Sequence, residues 1–125
     1  MQFDVFFSLS HTPVGDELPT EAQMFQNFFA QVQAADELGY KTAWLAEAHL
    51  SSEAQKKNAR PVTPHWKGEV GLMTDFVQIA QAIFARTKNI ECGSAVMNIL
   101  CNGGPIAAAE RIVALANLHG LNPEE

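Results

Sequence analysis

With 125 residues, 47% of them apolar and 18% charged, the chain has material for one ordinary hydrophobic core and not for two, and its composition excludes a disordered or heavily solvated polypeptide. A net charge of −6 with scattered Lys and Arg argues against a nucleic-acid partner, because phosphate recognition needs clustered cations. No apolar run approaches the roughly 20 residues that span a bilayer, the N-terminus has no basic leader, and Cys92 and Cys101 fit neither a CxxC site nor a disulfide framework; a single cytoplasmic domain over residues 1–125 with reduced thiols is expected.

In chain order, Gln2 to Leu9 is a nearly continuous apolar run rich in Phe and Val, which predicts a buried first strand. The segment SHTPVGDELP carries two prolines and a glycine and reads as a loop at the strand's carboxyl end. Thr20 opens T-x-x-Q, a capping-box arrangement in which the hydroxyl and Gln23 satisfy each other's free amides. Met24, Phe25, Phe28, Val32, Ala35 and Leu38 then recur at helical spacing, and Gly39 supplies a left-handed stop.

The second strand lies within Tyr40 to Leu50, YKTAWLAEAHL, with Trp44 and Leu45 as its bulk. It ends abruptly in Glu47 and His49, and the carboxyl ends of parallel strands are where α/β proteins bind ligands. At i and i+2 the two side chains share one face of an extended chain. One alternative is a pair of site residues; the other is a glutamate bonded to neighbouring backbone at a strand end, with His49 merely lining a loop. Residues 51–71 are polar and carry Pro61, Pro64, Gly68 and Gly71, with His65 and Trp66 in their midst, a long loop of the kind that covers substrates. No metal is expected, since a Glu47, His49 and His65 set lacks a supporting motif. His11 and His119 are expected to be solvated.

A second helix is predicted from about Thr74, with Phe76, Ile79, Ala80, Ile83 and Phe84 on one face and Arg86 and Lys88 near its end. Ile90 to Met97, IECGSAVM, makes a third strand whose small residues Gly93, Ser94 and Ala95 leave room either for something flat or for tight packing. Gly103 and Gly104 form either a flexible turn, the reading favoured because no GxGxxG or GxxxxGK pattern is present, or a bare-amide anion site. They precede a Pro105-initiated helix with Ala108, Ile112, Leu115 and Leu118 inward and Gly120 at its end. The fold class is therefore α/β: parallel (β/α) units, three strands and three helices. Such a sheet leaves both edges unpaired and one face bare, so a homo-oligomer or a complementing partner is expected.

FDVFF, AWLAEAHL, GSAVM and GPIAAAERIVALANLHG together resemble the N-terminal part of the bacterial luciferase-like, flavin-dependent monooxygenases, as far as the first part of a TIM barrel. The resemblance implies that reduced FMN and oxygen act on a small organic substrate such as an aldehyde, with a deazaflavin-dependent reductase on the same barrel as an alternative. It implies that Phe7, Ser8, Ala95, Val96, Met97 and Asn98 line the cofactor, that a strained peptide falls near Ala95 and Val96, and that His49 handles a proton while Glu47 orients it. Ala48 stands where the family's Glu-His-His run has its first His, and Leu121 where an Arg follows the terminal Gly. The family's phosphate-gripping segments lie mostly in later barrel units, so activity is expected only when those units are supplied. A non-catalytic half-barrel that self-associates or docks to a partner chain is the competing expectation.

Overall fold

A computed structural model of the chain describes residues 1–11, 13–50, 54, 55, 57, 59, 60 and 71–120. Their order is β1 (Val5–Phe7), α1 (Glu21–Glu37), β2 (Thr42–Leu45), α2 (Phe76–Phe84), β3 (Glu91–Ser94) and α3 (Gly104–Leu118). The strands form one parallel sheet in the order β1-β2-β3, as the strand–helix alternation predicts. His65, Trp66 and the middle of the long loop lie outside the described residues, as does Leu121.

Each helix begins for a legible reason. Thr20 Oγ1 accepts from Gln23 N at 3.1 Å, but the reciprocal half of the capping box does not form, because the Gln23 amide donates instead to Asn27 Oδ1 one turn on, at 2.9 Å. Asp75 caps α2 by accepting from Gln78 N. Gly103 caps α3 from the left-handed region, φ 87°, where a side chain would be strained. Gly39 takes φ 79° after α1, as its place in the sequence predicts.

Register sorts the side chains onto two faces. Val5, Ala43 and Cys92 align across the sheet, as do Phe7, Leu45 and Ser94, while Phe6, Trp44 and Gly93 alternate with them on the opposite face. Ala43 and Leu45 are fully buried against the helices, in a core with Met24, Phe28 and Val32 of α1 and Val77, Ala80 and Ile83 of α2. The other face is open: Phe6 is 59% exposed and Trp44 38%. The first strand is thus not the buried strand its composition predicts, since only one of its faces meets the helix layer.

Helix α3 also departs from expectation. Ala108 and Leu115 are buried, but Ile112 and Leu118 are exposed, because α3 follows an edge strand and packs on α2 with no described neighbour beyond. His11 and His119 are not solvated either. His11 is buried and its Nε2 donates to the Pro19 carbonyl; the His119 ring lies 5.2 Å from Phe84. Both thiols are free, and burial pushes the Cys92 thiol up to about 12.

Gly93 owes its size to packing. A Cβ there would lie 2.4 Å from the Trp44 ring, because the indole, anchored by Nε1 to Asp4 Oδ2 at 3.0 Å, lies across β3. Gly93→Ala should destabilise the chain by about 1–3 kcal/mol through overpacking, and Trp44→Leu should cancel most of that cost in a double-mutant cycle of urea midpoints. Additive effects would show that the two residues do not meet.

Asp36, at the end of α1, accepts from the backbone amides of Lys88, Asn89 and Ile90 at 2.8–2.9 Å and so fixes where β3 begins. Burial works to raise its pKa, but the three amides and the Lys88 charge outweigh it and hold the group below the ordinary 3.8. Its contribution is therefore full above the ordinary carboxylate range and disappears as pH falls through the lowered value. Asp36→Ala should cost about 1.5–3 kcal/mol at neutral pH and flatten the acid limb of a stability–pH profile. An unchanged limb would contradict this role.

Candidate functional site

Glu47 and His49 come together beyond the carboxyl end of β2, where the chain leaves the sheet. Ala46 N still bonds to Phe7 O and Ala48 N to Met73 O, so the exit is held from both sides. The Glu47 side chain has no exposed surface, and His49 keeps 20%. His49 Nε2 lies 2.7 Å from Glu47 Oε1.

Two further donors converge on the same carboxylate oxygen. Asn98 N reaches Oε1 at 3.0 Å and Asn102 Nδ2 at 2.7 Å. The first amide of α2, Phe76 N, reaches Oε2 at 3.4 Å. Burial alone would raise the Glu47 pKa, but His49, the Asn98 amide, the Asn102 side chain and the Phe76 amide outweigh it and hold the group below the ordinary 4.5. The carboxylate is thus ionised at neutral pH and can only accept hydrogen bonds. That places a proton on His49 Nε2, so that in the neutral ring the acceptor nitrogen is Nδ1.

Asn98, Ala95, Val96 and Met97 belong to the segment that follows β3. Ala95 N bonds to Leu45 O at 2.8 Å, carrying the sheet one residue further, and the Ala95–Val96 peptide is cis, at the position the resemblance singles out. Val96 is exposed and Met97 packs on the core. Asn98 is thereby brought to Glu47. Phe7 and Ser8 are placed differently: the Phe7 ring packs edge-on against Phe28 at 5.1 Å, and both residues line a separate cleft of about 220 Å³ between the end of β1 and α1.

Two members of the site were not anticipated from sequence. Asn102 is buried, and its Nδ2 also donates to Asn98 O at 2.9 Å. Arg111 Nη1 donates to Asn102 Oδ1 at 2.9 Å, while Nη2 pairs with Asp75 Oδ2. The available signal was Arg111 itself, the sole basic residue of a mostly apolar α3. A cation in that setting calls for a partner. Among the described residues, no group of three His, Cys, Asp or Glu side chains is placed to hold a metal ion, and no helix is long and apolar enough to cross a membrane.

Replacing Glu47 by Gln keeps an acceptor at the Oε1 position but sets an amide donor against Phe76 N–H, so the variant should lose about 1–3 kcal/mol in urea unfolding at neutral pH. A lowered carboxylate pKa stabilises above the ordinary range and ceases to do so as pH falls through it. The difference between wild type and Glu47→Gln should therefore shrink below about pH 4. A constant difference across that window would contradict an ionised Glu47.

A comparison with curated proteins finds no match. Residues 1–120 match the model of a protein family described as luciferase-like monooxygenase. The matched span contains all three strand–helix units, the Glu47–His49 pair and the cis peptide, and it covers nearly the whole chain: the protein belongs to the luciferase-like monooxygenase family.

Proposed function

We propose that this chain contributes the first three strand ends of a flavin-dependent monooxygenase site that acts on a small organic substrate, with His49 as the proton-handling residue and Glu47 as its support. The observation that carries this reading is the 2.7 Å bond from His49 Nε2 to a buried, ionised carboxylate, which makes Nδ1 the acceptor nitrogen of the neutral ring. A positioned base of this kind contributes about 10²–10⁴-fold to a proton-transfer step.

The residues present fit the ring end of a flavin better than its phosphate. Ala46 and Ala95, the first residues past β2 and β3, offer small side chains at neighbouring strand ends. Arg111, the arginine of this network, is committed to Asn102 and Asp75 and is not free to grip an anion. Reduced FMN, when bound, supplies the electrons and the activation of oxygen. The chain's own part is to exclude water along the strand ends, to hold Glu47 ionised, and to accept or return a proton at His49 Nδ1. A deazaflavin-dependent reductase would present its cofactor ring to the same strand ends.

A second reading is supported by the open sheet face and by the unpaired outer edges of β1 and β3 among the described residues. Here the chain self-associates or docks to a complementing barrel half, and cytoplasmic catalysis depends on that partner. Sedimentation separates the cases: a colourless assembly of two or more copies without flavin affinity favours association alone.

The catalytic reading is tested in the chain complemented by the later barrel units and loaded with reduced FMN, following oxygen consumption with an aldehyde. His49→Ala should lower kcat by about 10²–10⁴-fold with KM nearly unchanged, and unchanged turnover would remove His49 from the mechanism.

A further inference from the structure

The bonds around Glu47 form a closed cycle. Glu47 Oε1 accepts from Asn102 Nδ2; Asn102 Oδ1 accepts from Arg111 Nη1; Arg111 Nη2 pairs with Asp75 Oδ2; Asp75 caps α2; and the first amide of α2, Phe76 N, returns to Glu47 Oε2. A closed cycle restrains each member from two directions, and an open chain only from one. Its chemistry admits one arrangement. Arg111 has donors alone, so Asn102 must turn Oδ1 toward it, while the Glu47 carboxylate and the Asn98 carbonyl accept alone and require Nδ2. Every partner of the Asn102 amide asks for the same orientation.

We propose that Asn102 and Arg111 are positioning residues for His49: by closing this cycle they lock the rotation of the Glu47 carboxylate, so that Oε1 stays on the imidazole and the His49 proton stays on Nε2. The inference rests on the reading of His49 as the proton-handling residue, and neither Asn102 nor Arg111 touches a reacting group. Asn102 also ties the Asn98 carbonyl, so the segment after β3 is held against the same carboxylate. Opening the cycle at either residue frees Glu47 to rotate away, and the neutral imidazole then samples both tautomers.

The test is ¹⁵N NMR of the imidazole nitrogens in the whole chain at alkaline pH, where a tautomer is read without turnover. Wild type should show His49 protonated on Nε2 alone. Asn102→Leu and Arg111→Met should each give a mixture of tautomers, and Arg111→Lys, which keeps a donor for Asn102, should restore the single form. In the flavin-loaded chain complemented by the later barrel units, the first two variants should lose about ten- to a hundredfold in kcat with KM little changed. If Asn102→Leu fails to fold, Arg111→Met decides, because it leaves the buried amide in place. A single Nε2–H tautomer in a folded Arg111→Met protein would overturn the proposal and leave the cycle a purely structural device. Should His49→Ala turn over normally while the tautomer mixes as expected, the catalytic reading fails and the positioning inference stands.

Discussion

The arrangement depends on one carboxylate. Glu47 gathers donors from the end of β2, the segment after β3, the turn before α3 and the first amide of α2, and without its charge four pieces of chain would present donors to one another across a buried space. Burying an ionised carboxylate is costly unless hydrogen bonds replace its water, and four donors do so here. The same bonds that neutralise the cost also converge the ends of neighbouring strands, so the stability of the fold and the geometry of the candidate site are one set of interactions.

That identity explains why the alternatives for Glu47 in the sequence are not exclusive. A glutamate at a strand end bonded to neighbouring backbone, and a glutamate that orients a histidine, describe the same side chain, whose Oε1 does both. The pair was legible because i and i+2 spacing at a strand end is local information. Asn102 and Arg111 were not, because their partners lie 55 and 36 positions away and because Asn before Gly-Gly has a sufficient local explanation as a turn residue. The strand–helix order, the Thr20 cap and the Gly39 stop were equally local and hold in the structure. Burial was the harder quantity: β1 and α3 carry apolar residues on faces that no described element covers, and composition alone does not distinguish a face that is buried from one that awaits a neighbour.

The open sheet face gives the small residues of β3 two different meanings. Gly93 is small because the Trp44 ring lies across it, a packing requirement within the sheet. Ala95, one step past the strand, is joined to Leu45 by its amide and to Val96 by a cis peptide, and it lies where the chain turns toward Glu47. The boundary between scaffold and candidate site therefore falls between Ser94 and Ala95. On β2 it falls after Leu45, the last fully buried residue before Glu47. Membership in the luciferase-like monooxygenase family is in keeping with a sheet in which the chain leaving β2 and β3 meets at one ionised group.

The central claim is that Glu47 is ionised because four donors converge on it. It is tested most directly by following the ¹³Cδ shift of Glu47 through an acid titration of the folded chain. A midpoint below the ordinary 4.5 is the predicted result; a midpoint at or above that value would show that burial outweighs the donors and would contradict the account.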